Sequence, residues 1–167
     1  MRHRFLTGIA GVAVLAAITV VPVAAAGDSL ATPPLAVHFE VQTSGVNGGL
    51  SGGPFTASGP AVAAGLICAA GDTIDAGVAQ VSGWQSLRGI NIQVVKQFSC
   101  ADNGPTFLVK LQVRIDAKGD NFSWTVVDGA GAYARLHGSG SGVGLYPTGP
   151  EPQYGVLDVY DGGVHVD

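Results

Sequence analysis

The sequence predicts one all-β domain, a small closed antiparallel barrel, behind an N-terminal secretory signal. Several segments alternate apolar and polar residues with a period of two, which is typical of strands with one buried face. Turn-forming Asn-Gly, Asp-Gly and Gly-Pro pairs separate these segments, and no segment predicts a long helix. The 26 glycines are about twice the usual share of ~7%, which suits the tight corners of a small barrel.

The N-terminus has the three parts of a secretory signal. A basic start, Arg2 to Arg4, precedes an apolar run from Phe5 to Val21, and small residues end the segment at Ala26. The run is almost long enough to span a membrane, so an uncleaved anchor is the alternative. A proline and an A-x-A site favour cleavage between Ala26 and Gly27, and we expect a secreted protein with no membrane attachment.

Cleavage divides the chain into a signal peptide, residues 1–26, and residues 27–167, which suit a single domain with its own core. Without Arg2 and Arg4, six Lys and Arg residues stand against twelve Asp and Glu residues. Such an acidic surface argues against nucleic acids and anionic membranes as partners. The sequence predicts no particular oligomeric state.

Two cysteines, Cys68 and Cys100, lie in the exported part of the chain. An even count in an oxidising compartment predicts one structural disulfide. In the chain-entropy description, closing a loop of this length stabilises a fold by roughly 3–4 kcal/mol. A redox or metal pair is the alternative, but the spacing is not C-x-x-C and neither cysteine has a histidine nearby in the sequence.

The first half of the domain predicts two strands and one ambiguous segment. Residues 35–43 (LAVHFEVQT) alternate cleanly, with His38 and Glu40 on the solvent face. A short strand is predicted at Phe55–Ser58 within a loop-rich region. Residues 61–70 (AVAAGLICAA) permit a helix through their alanines, but the Ile-Cys pair suits a strand, which we favour.

Residues 91–127 predict a three-stranded antiparallel meander. Its strands are INIQVVKQF, FLVKLQVRID and NFSWTVV, and the second and third carry their apolar residues on one face. The turns between them are CADNGPT (100–106) and DAKGDN (116–121). A surface loop is predicted at PTGPEPQ (147–153), because its prolines cannot join a central strand.

The glycine-rich stretch DGAGAYARLHGSGSGVG contains Gly129-x-Gly131-x-x-Ala134, a loose form of the dinucleotide-binding pattern. That pattern requires a helix at the pyrophosphate, and the glycines that come directly after it destabilise any helix here. We therefore predict neither a nucleotide nor another cofactor. Instead, Asp128–Gly131 is predicted as a tight turn and Tyr133–His137 as a short strand, followed by glycines that let neighbouring backbones approach closely.

The segment VLDVYDGGVHV predicts a final hairpin. Asp161-Gly162 as a two-residue turn places Asp158 opposite His165, as a dyad or, more simply, as a cross-strand ion pair. A slip by one residue, with Gly162-Gly163 as the turn, places Tyr160 opposite His165 instead.

Residues 124–144 (WTVVDGAGAYARLHGSGSGVG) resemble the glycine-rich signature of the allene oxide cyclase and dirigent families, which are eight-stranded antiparallel barrels. The resemblance implies a single barrel of the allene oxide cyclase/dirigent or lipocalin type. Ala130 stands where those barrels usually have threonine, and no catalytic residue is carried over. Through FSCADNGPTFLVKLQVRID, GAYARLHGSGSG and GVLDVYDGGVHV, the chain is also similar to a set of small secreted bacterial proteins, which implies secretion but no activity.

Tyr133, Arg135 and His137 share one face of their predicted strand and are the candidates for a pocket. Polar residues that simply face outward from a barrel are the alternative. The histidines have no metal-ligand spacing, so no metal site is predicted. No serine-nucleophile motif is present, and the catalytic residues stay unassigned.

Two pairs of acidic residues lie near predicted turns, Asp72 with Asp75 and Asp116 with Asp120. Each pair could bind a cation, but neither has the spacing of a calcium loop. We interpret all four first as turn residues.

Together these observations predict a secreted module that binds a small hydrophobic ligand or another partner, because small barrels can hold one apolar ligand at the mouth. A barrel enzyme of the cyclase or isomerase type is one alternative, and a structural extracellular protein with a filled barrel is another. A packed interior would exclude the first two, and a cavity lined by Tyr, Arg and His would favour the enzyme. We favour binding over catalysis.

Overall fold

The computed structural model describes residues 33–44, 51–82, 89–101, 103–116, 119–146 and 155–167. The predicted signal peptide with its cleavage site at Ala26 and Gly27, and the predicted loop at 147–153, lie outside the described residues. Within them, the chain forms eight strands, one short α-helix and one 3-10 helix. Their bounds are β1 Leu35–Thr43, β2 Gly52–Ser58, α1 Pro60–Ala63, β3 Ala70–Ser82, β4 Ile90–Cys100, β5 Thr106–Asp116, β6 Gly119–Gly129, the 3-10 helix Gly131–Tyr133, β7 Leu136–Leu145 and β8 Val156–Val166.

The eight strands form a closed antiparallel barrel in the order of the chain. Closure comes from β1 and β8, which pair from Leu35 opposite Val164 to Thr43 opposite Val156. A closed barrel has no free sheet edge, so each strand has a paired neighbour on both sides. The predicted all-β barrel is therefore confirmed. Among the described helices, none has the length and apolar character needed to cross a bilayer.

The predicted meander is also confirmed, because β4, β5 and β6 pair in sequence. Their apolar faces point into the barrel, where Phe107 and Trp124 are almost fully buried. The turn between β4 and β5 contains Asn103 in the left-handed conformation, which asparagine tolerates in turns. The alternation of apolar and polar residues was sufficient to predict these strands, because each strand has one face in the core.

The predicted C-terminal hairpin is wrong, because β8 continues through Asp161-Gly162 as one strand. It pairs with β1 on one side and with β7 on the other, so a turn here would break two ladders at once. The register slipped to Gly162-Gly163 is wrong for the same reason. Gly162 serves close packing instead, since a Cβ there would lie 2.5 Å from the Trp124 ring.

The strand predicted over residues 61–70 is wrong for most of its length, since β3 begins only at Ala70. Pro60 starts the short helix α1 instead, where its fixed φ and missing N–H suit the first turn. Ala61 and Ile67 are buried in the hydrophobic core. This segment therefore packs against the barrel rather than extending its sheet.

The chain between β6 and β7 also differs from the prediction. β6 extends to Gly129, and Gly131–Tyr133 form a 3-10 helix rather than the start of a strand. β7 begins at Leu136, so only the last two residues of the predicted strand Tyr133–His137 are in a strand. Gly131 has a φ of +62°, a left-handed conformation that glycine adopts without strain.

Aromatic rings fill the barrel from its centre toward the disulfide end. Neighbouring rings pack at centroid distances from 4.7 to 6.5 Å. The rings belong to Phe39, Phe55, Phe98, Phe107, Phe122, Trp124 and Tyr160. A Cβ on Gly140 of β7 would lie 2.6 Å from Nε1 of Trp124. The glycines of β7 thus allow the close approach that the sequence predicts.

Candidate functional site

The predicted disulfide between Cys68 and Cys100 is present, with Cα atoms 5.9 Å apart. Tyr133 packs beside it. The Tyr133 hydroxyl accepts a hydrogen bond from the Cys68 backbone N–H at 2.9 Å and lies 3.3 Å from Cys100 Sγ. Burial raises the pKa of Tyr133, so the hydroxyl keeps its proton at neutral pH. This side chain therefore belongs to the packing around the disulfide.

Arg135 and His137 are exposed on the outside of the barrel. His137 stacks on His165 across β7 and β8 with ring centroids 5.4 Å apart, and its Nε2 lies 3.0 Å from Asp167. A groove on the outer surface is lined by both histidines but by neither Tyr133 nor Arg135. The structure does not bring the three predicted pocket residues to one face, and their part in ligand binding stays a prediction.

Asp158 and His165 do not form the predicted dyad or ion pair. They lie seven residues apart on one continuous strand, so their side chains point to opposite faces of the sheet. His165 lies across from His137, whereas Asp158 lines a cavity inside the barrel. That inward position makes Asp158 part of a different site.

The barrel end opposite the disulfide holds an open cavity of about 160 Å³, which we call the mouth cavity. Its apolar wall is formed by Ile92, Val94, Leu111, Val113, Ile115 and Phe122. The remaining lining includes four charged side chains, Asp75, Lys96, Asp120 and Asp158. The mouth cavity therefore combines an apolar surface with a few convergent polar groups, as small-molecule sites do.

Lys96 and Asp75 form a buried ion pair in this lining. They are direct cross-strand partners, their side chains are 3% and 6% exposed, and Nζ lies 2.6 Å from Oδ1. The other Asp75 oxygen accepts hydrogen bonds from the Ser51 backbone N–H and hydroxyl at 3.1 and 2.7 Å. Because the two charges cancel, the pair adds no net charge to the cavity. The interpretation of Asp72 and Asp75 as turn residues is wrong, since both lie within β3, where Asp75 is beside a bulge and Asp72 is exposed.

Asp120 and Asp158 flank Gly144 in one row across β6, β7 and β8. Gly144 has no side chain, and the Asp120 carboxylate occupies the space that a Cβ would fill. Asp120 lies beside the β5–β6 turn, as does Asp116, but it lines the mouth cavity. Its Oδ2 accepts a hydrogen bond from the Tyr146 hydroxyl at 2.8 Å. Its Oδ1 is buried and has no hydrogen-bond partner among the described residues.

Asp158 has an unusual affinity for its proton. Burial raises the pKa of Asp158 to about 6. A hydrogen bond from the Thr43 hydroxyl to Oδ2, 2.8 Å long, and the charge of Lys96 oppose this increase, and the carboxylates of Asp120 and Asp75 add to it. Asp158 therefore changes charge close to neutral pH, unlike an ordinary aspartate. Perturbed carboxyl groups in a cleft are typical of functional sites.

Tyr160 lies two residues after Asp158 on the same inward face of β8. It is 1% exposed, and its ring centroid lies 4.7 Å from that of Phe122. Its hydroxyl has no hydrogen-bond partner within the described part of the chain. Burial raises the pKa of Tyr160, and so do the charges of Asp158, Asp75 and Asp120.

These groups define what the mouth cavity can do chemically. Its wall can hold an apolar ring or chain, Asp120 Oδ1 can accept a hydrogen bond, and Asp158 can exchange a proton near neutral pH. Across the described ranges, no three His, Cys, Asp or Glu side chains are placed to hold a metal ion.

The sequence did not bring the residues of the mouth cavity together: Asp75 and Asp120 were interpreted as turn residues of separate pairs, and Asp158 as a partner of His165. A signal for the inward position of Lys96 and Asp158 was present. Lys96 precedes the buried Phe98 by two residues, and Asp158 precedes Tyr160 by two. A period of two therefore places both charged side chains on the inward face of their strands. A charge on an otherwise apolar face is informative, because burying an unpaired charge is costly.

Comparison of the chain with models of protein families, with characterised proteins and with solved structures found no match. The resemblance to the allene oxide cyclase and dirigent barrels stays a prediction. The geometry of the mouth cavity is therefore the basis for a proposal about function.

Proposed function

We propose that the protein binds a small molecule whose apolar part enters the mouth cavity. The observation that carries this proposal is the cavity itself, with its apolar wall and few polar groups, in a barrel otherwise filled with aromatic rings. Small barrels can hold one ligand at the mouth. A barrel with a purely structural role needs no such cavity, so the filled-barrel alternative has less support.

The cavity volume of about 160 Å³ sets the size of the ligand. An apolar cavity of about 150 Å³ accommodates benzene, so one ring or a short branched chain fits here. The cavity is open, so other atoms of the ligand can stay in solvent. At roughly 0.5 kcal/mol per non-hydrogen atom, a probe of about eight atoms gains about 4 kcal/mol, which corresponds to a Kd of about 1 mM.

NMR spectroscopy of methyl-labelled protein tests this proposal at such weak affinity. Benzyl alcohol at several times the expected Kd should shift the methyl signals of Ile92, Leu111 and Val113. Val94→Phe fills the cavity and should abolish these shifts, whereas Val143→Phe, at an exposed position on β7, should retain them. Absent shifts in the wild type, or full shifts in Val94→Phe, contradict the proposal.

We also infer that the protein acts outside the cytoplasm. The disulfide supports this inference, because structural disulfides persist mainly in oxidising compartments. The predicted signal peptide supports it independently. Intact-mass analysis of the protein recovered from the medium should give a chain that begins at Gly27. A full-length chain retained with the cells would contradict the inference.

A second candidate function is catalysis by a barrel enzyme of the cyclase or isomerase type. One observation favours it: Asp158 has a pKa of about 6 in a partly apolar cavity, which suits proton transfer near neutral pH. Native mass spectrometry of the exported protein identifies a molecule that it carries. Conversion of that molecule by the wild type but not by Asp158→Asn supports an enzyme, and its recovery unchanged from both supports binding alone.

A further inference from the structure

We propose that the mouth cavity selects ligands that carry a protonated amine beside their apolar part. This inference rests on the proposed binding function and names the chemical class of the ligand. It is based on the charges of the cavity lining and on the unpaired acceptor oxygen of Asp120.

The charges of the lining favour a cation. Lys96 is the one basic side chain among the described residues that line the cavity, and Asp75 already neutralises it at 2.6 Å. Asp120 and Asp158 remain without a cationic partner among these residues. When both are ionised, the cavity presents two negative charges that an ammonium group would offset. In a cavity with an apolar wall, such charges are less screened than in water.

The hydrogen-bonding groups favour a head group with several donors. Asp120 Oδ1 is a buried acceptor with no donor within the described residues, and Thr43 satisfies only one oxygen of Asp158. Gly144 lies between them in the same row, and its missing side chain leaves room for the Asp120 carboxylate. An ammonium group has three N–H donors and no acceptor, whereas a hydroxyl has one donor. An ammonium group therefore has donors for both carboxylates, whereas a single hydroxyl has a donor for one.

Other head groups fit less well. A carboxylate or phosphate would bring more negative charge toward Asp120 and Asp158, and the one nearby cation, Lys96, is already paired. A neutral alcohol can satisfy one carboxylate but offsets no charge. A small apolar amine is therefore the class that matches both the wall and the acidic groups.

Three probes with the same ring test the proposal: benzylamine, benzyl alcohol and benzoate. Their Kd values are measured from the methyl shifts of Ile92, Leu111 and Val113 at about pH 8, where the amine is protonated and Asp158 is ionised. Benzylamine should bind about tenfold more tightly than benzyl alcohol, or better, since hydrogen bonds to charged groups are the stronger ones. Benzoate should be the weakest probe.

Charge-neutralising variants identify the groups responsible. Asp120→Asn and Asp158→Asn should each lower the preference for benzylamine over benzyl alcohol several-fold. Glu40→Gln removes an exposed carboxylate on the outer face of β1 and is the matched control, which should leave the preference unchanged. Amide spectra verify that each variant is folded, and the comparison of probes on the wild type does not depend on any variant.

The preference for the amine should also depend on pH. Asp158 has a pKa of about 6, so it is charged at about pH 8 and mostly neutral at about pH 5, while the amine stays protonated throughout. The preference should therefore fall several-fold as the pH is lowered, and Asp158→Asn should reduce this fall. The titratable and polar groups that interact with Asp158 are Thr43 on β1, Asp75 on β3, Lys96 on β4, Asp120 on β6, Tyr146 after β7 and Tyr160 on β8 itself.

The outcomes separate this inference from the binding function on which it rests. Benzyl alcohol or benzoate that binds as tightly as benzylamine overturns the inference and leaves the binding function intact. An amine preference that survives both asparagine variants also overturns it. If no probe shifts the methyl signals of the mouth cavity, the proposed binding function fails as well.

Discussion

Replacing Lys96 with methionine measures how strongly the buried ion pair supports the barrel. The change removes the cation that lies 2.6 Å from Asp75 and leaves a carboxylate that is only 6% exposed. The two hydrogen bonds from Ser51 remain, but no charge offsets the anion. Breaking a buried pair in this way costs about 3–5 kcal/mol. For a domain of this length, such a loss lowers Tm by about 10–15 °C.

Guanidinium unfolding with the disulfide intact, followed by tryptophan fluorescence, gives the free energies. Lys110→Met, on the outward face of β5, is the matched control and should change stability by less than about 0.5 kcal/mol. The double variant Lys96→Met with Asp75→Leu removes both charges and should recover most of the loss. A cost under about 1 kcal/mol for Lys96→Met, or a double variant as unstable as the single one, would refute this role of the ion pair.

Three further changes have defined outcomes. Gly140→Ala should lower the unfolding free energy measured in urea by about 1–3 kcal/mol, because the new Cβ would lie 2.6 Å from Nε1 of Trp124. Gly77→Ala, whose Cβ enters open space, is the control and should cost little. Equal losses for the two variants would contradict this account. Replacing both Cys68 and Cys100 with alanine should lower the unfolding free energy, measured in denaturant melts, by about 3–4 kcal/mol. A loss below about 1 kcal/mol would show that the disulfide does not stabilise the fold. Folding raises the pKa of Asp158 from 3.8 to about 6, so the folded state binds this proton more tightly than the unfolded state does. The wild type should therefore gain stability relative to Asp158→Asn as the pH falls from about 6 to 4, by about 3 kcal/mol at most. A constant difference in unfolding free energy across this pH range would contradict the burial of the carboxyl group.

The strands of the meander could be predicted because alternation is a local property of the chain and each strand has one face in the core. The turn predicted at Asp161-Gly162 is wrong because it was based on the local preference of this residue pair for turns. The strand pairing that outweighs this preference joins β8 to β1, which is far away in the sequence. The segment from Pro60 to Cys68 was misread because packing and a disulfide to a residue 32 positions later shape it.

The candidate site was less accessible to sequence reasoning than the fold. The inward direction of Lys96 and Asp158 could have been derived from alternation with their aromatic neighbours. Their convergence with Asp120 could not, because these residues line one cavity only when β8 closes the barrel. Gly144, which lies between Asp120 and Asp158, leaves room for the Asp120 carboxylate. Tyr133 was misplaced for a related reason, since a 3-10 helix replaces the strand on which its predicted face depended.

The unbroken course of β8 also bears on the chemical ageing of the protein. Asp-Gly pairs form isoaspartate readily, because the glycine nitrogen can attack the aspartate side chain when the backbone is free to fold back. At Asp161-Gly162 the backbone is held extended between β1 and β7, and the carboxylate lies 2.8 Å from Nδ1 of His38. The folded barrel thus shields this bond from the reaction. Isoaspartate at this position would be a chemical record of the time that a molecule has spent unfolded.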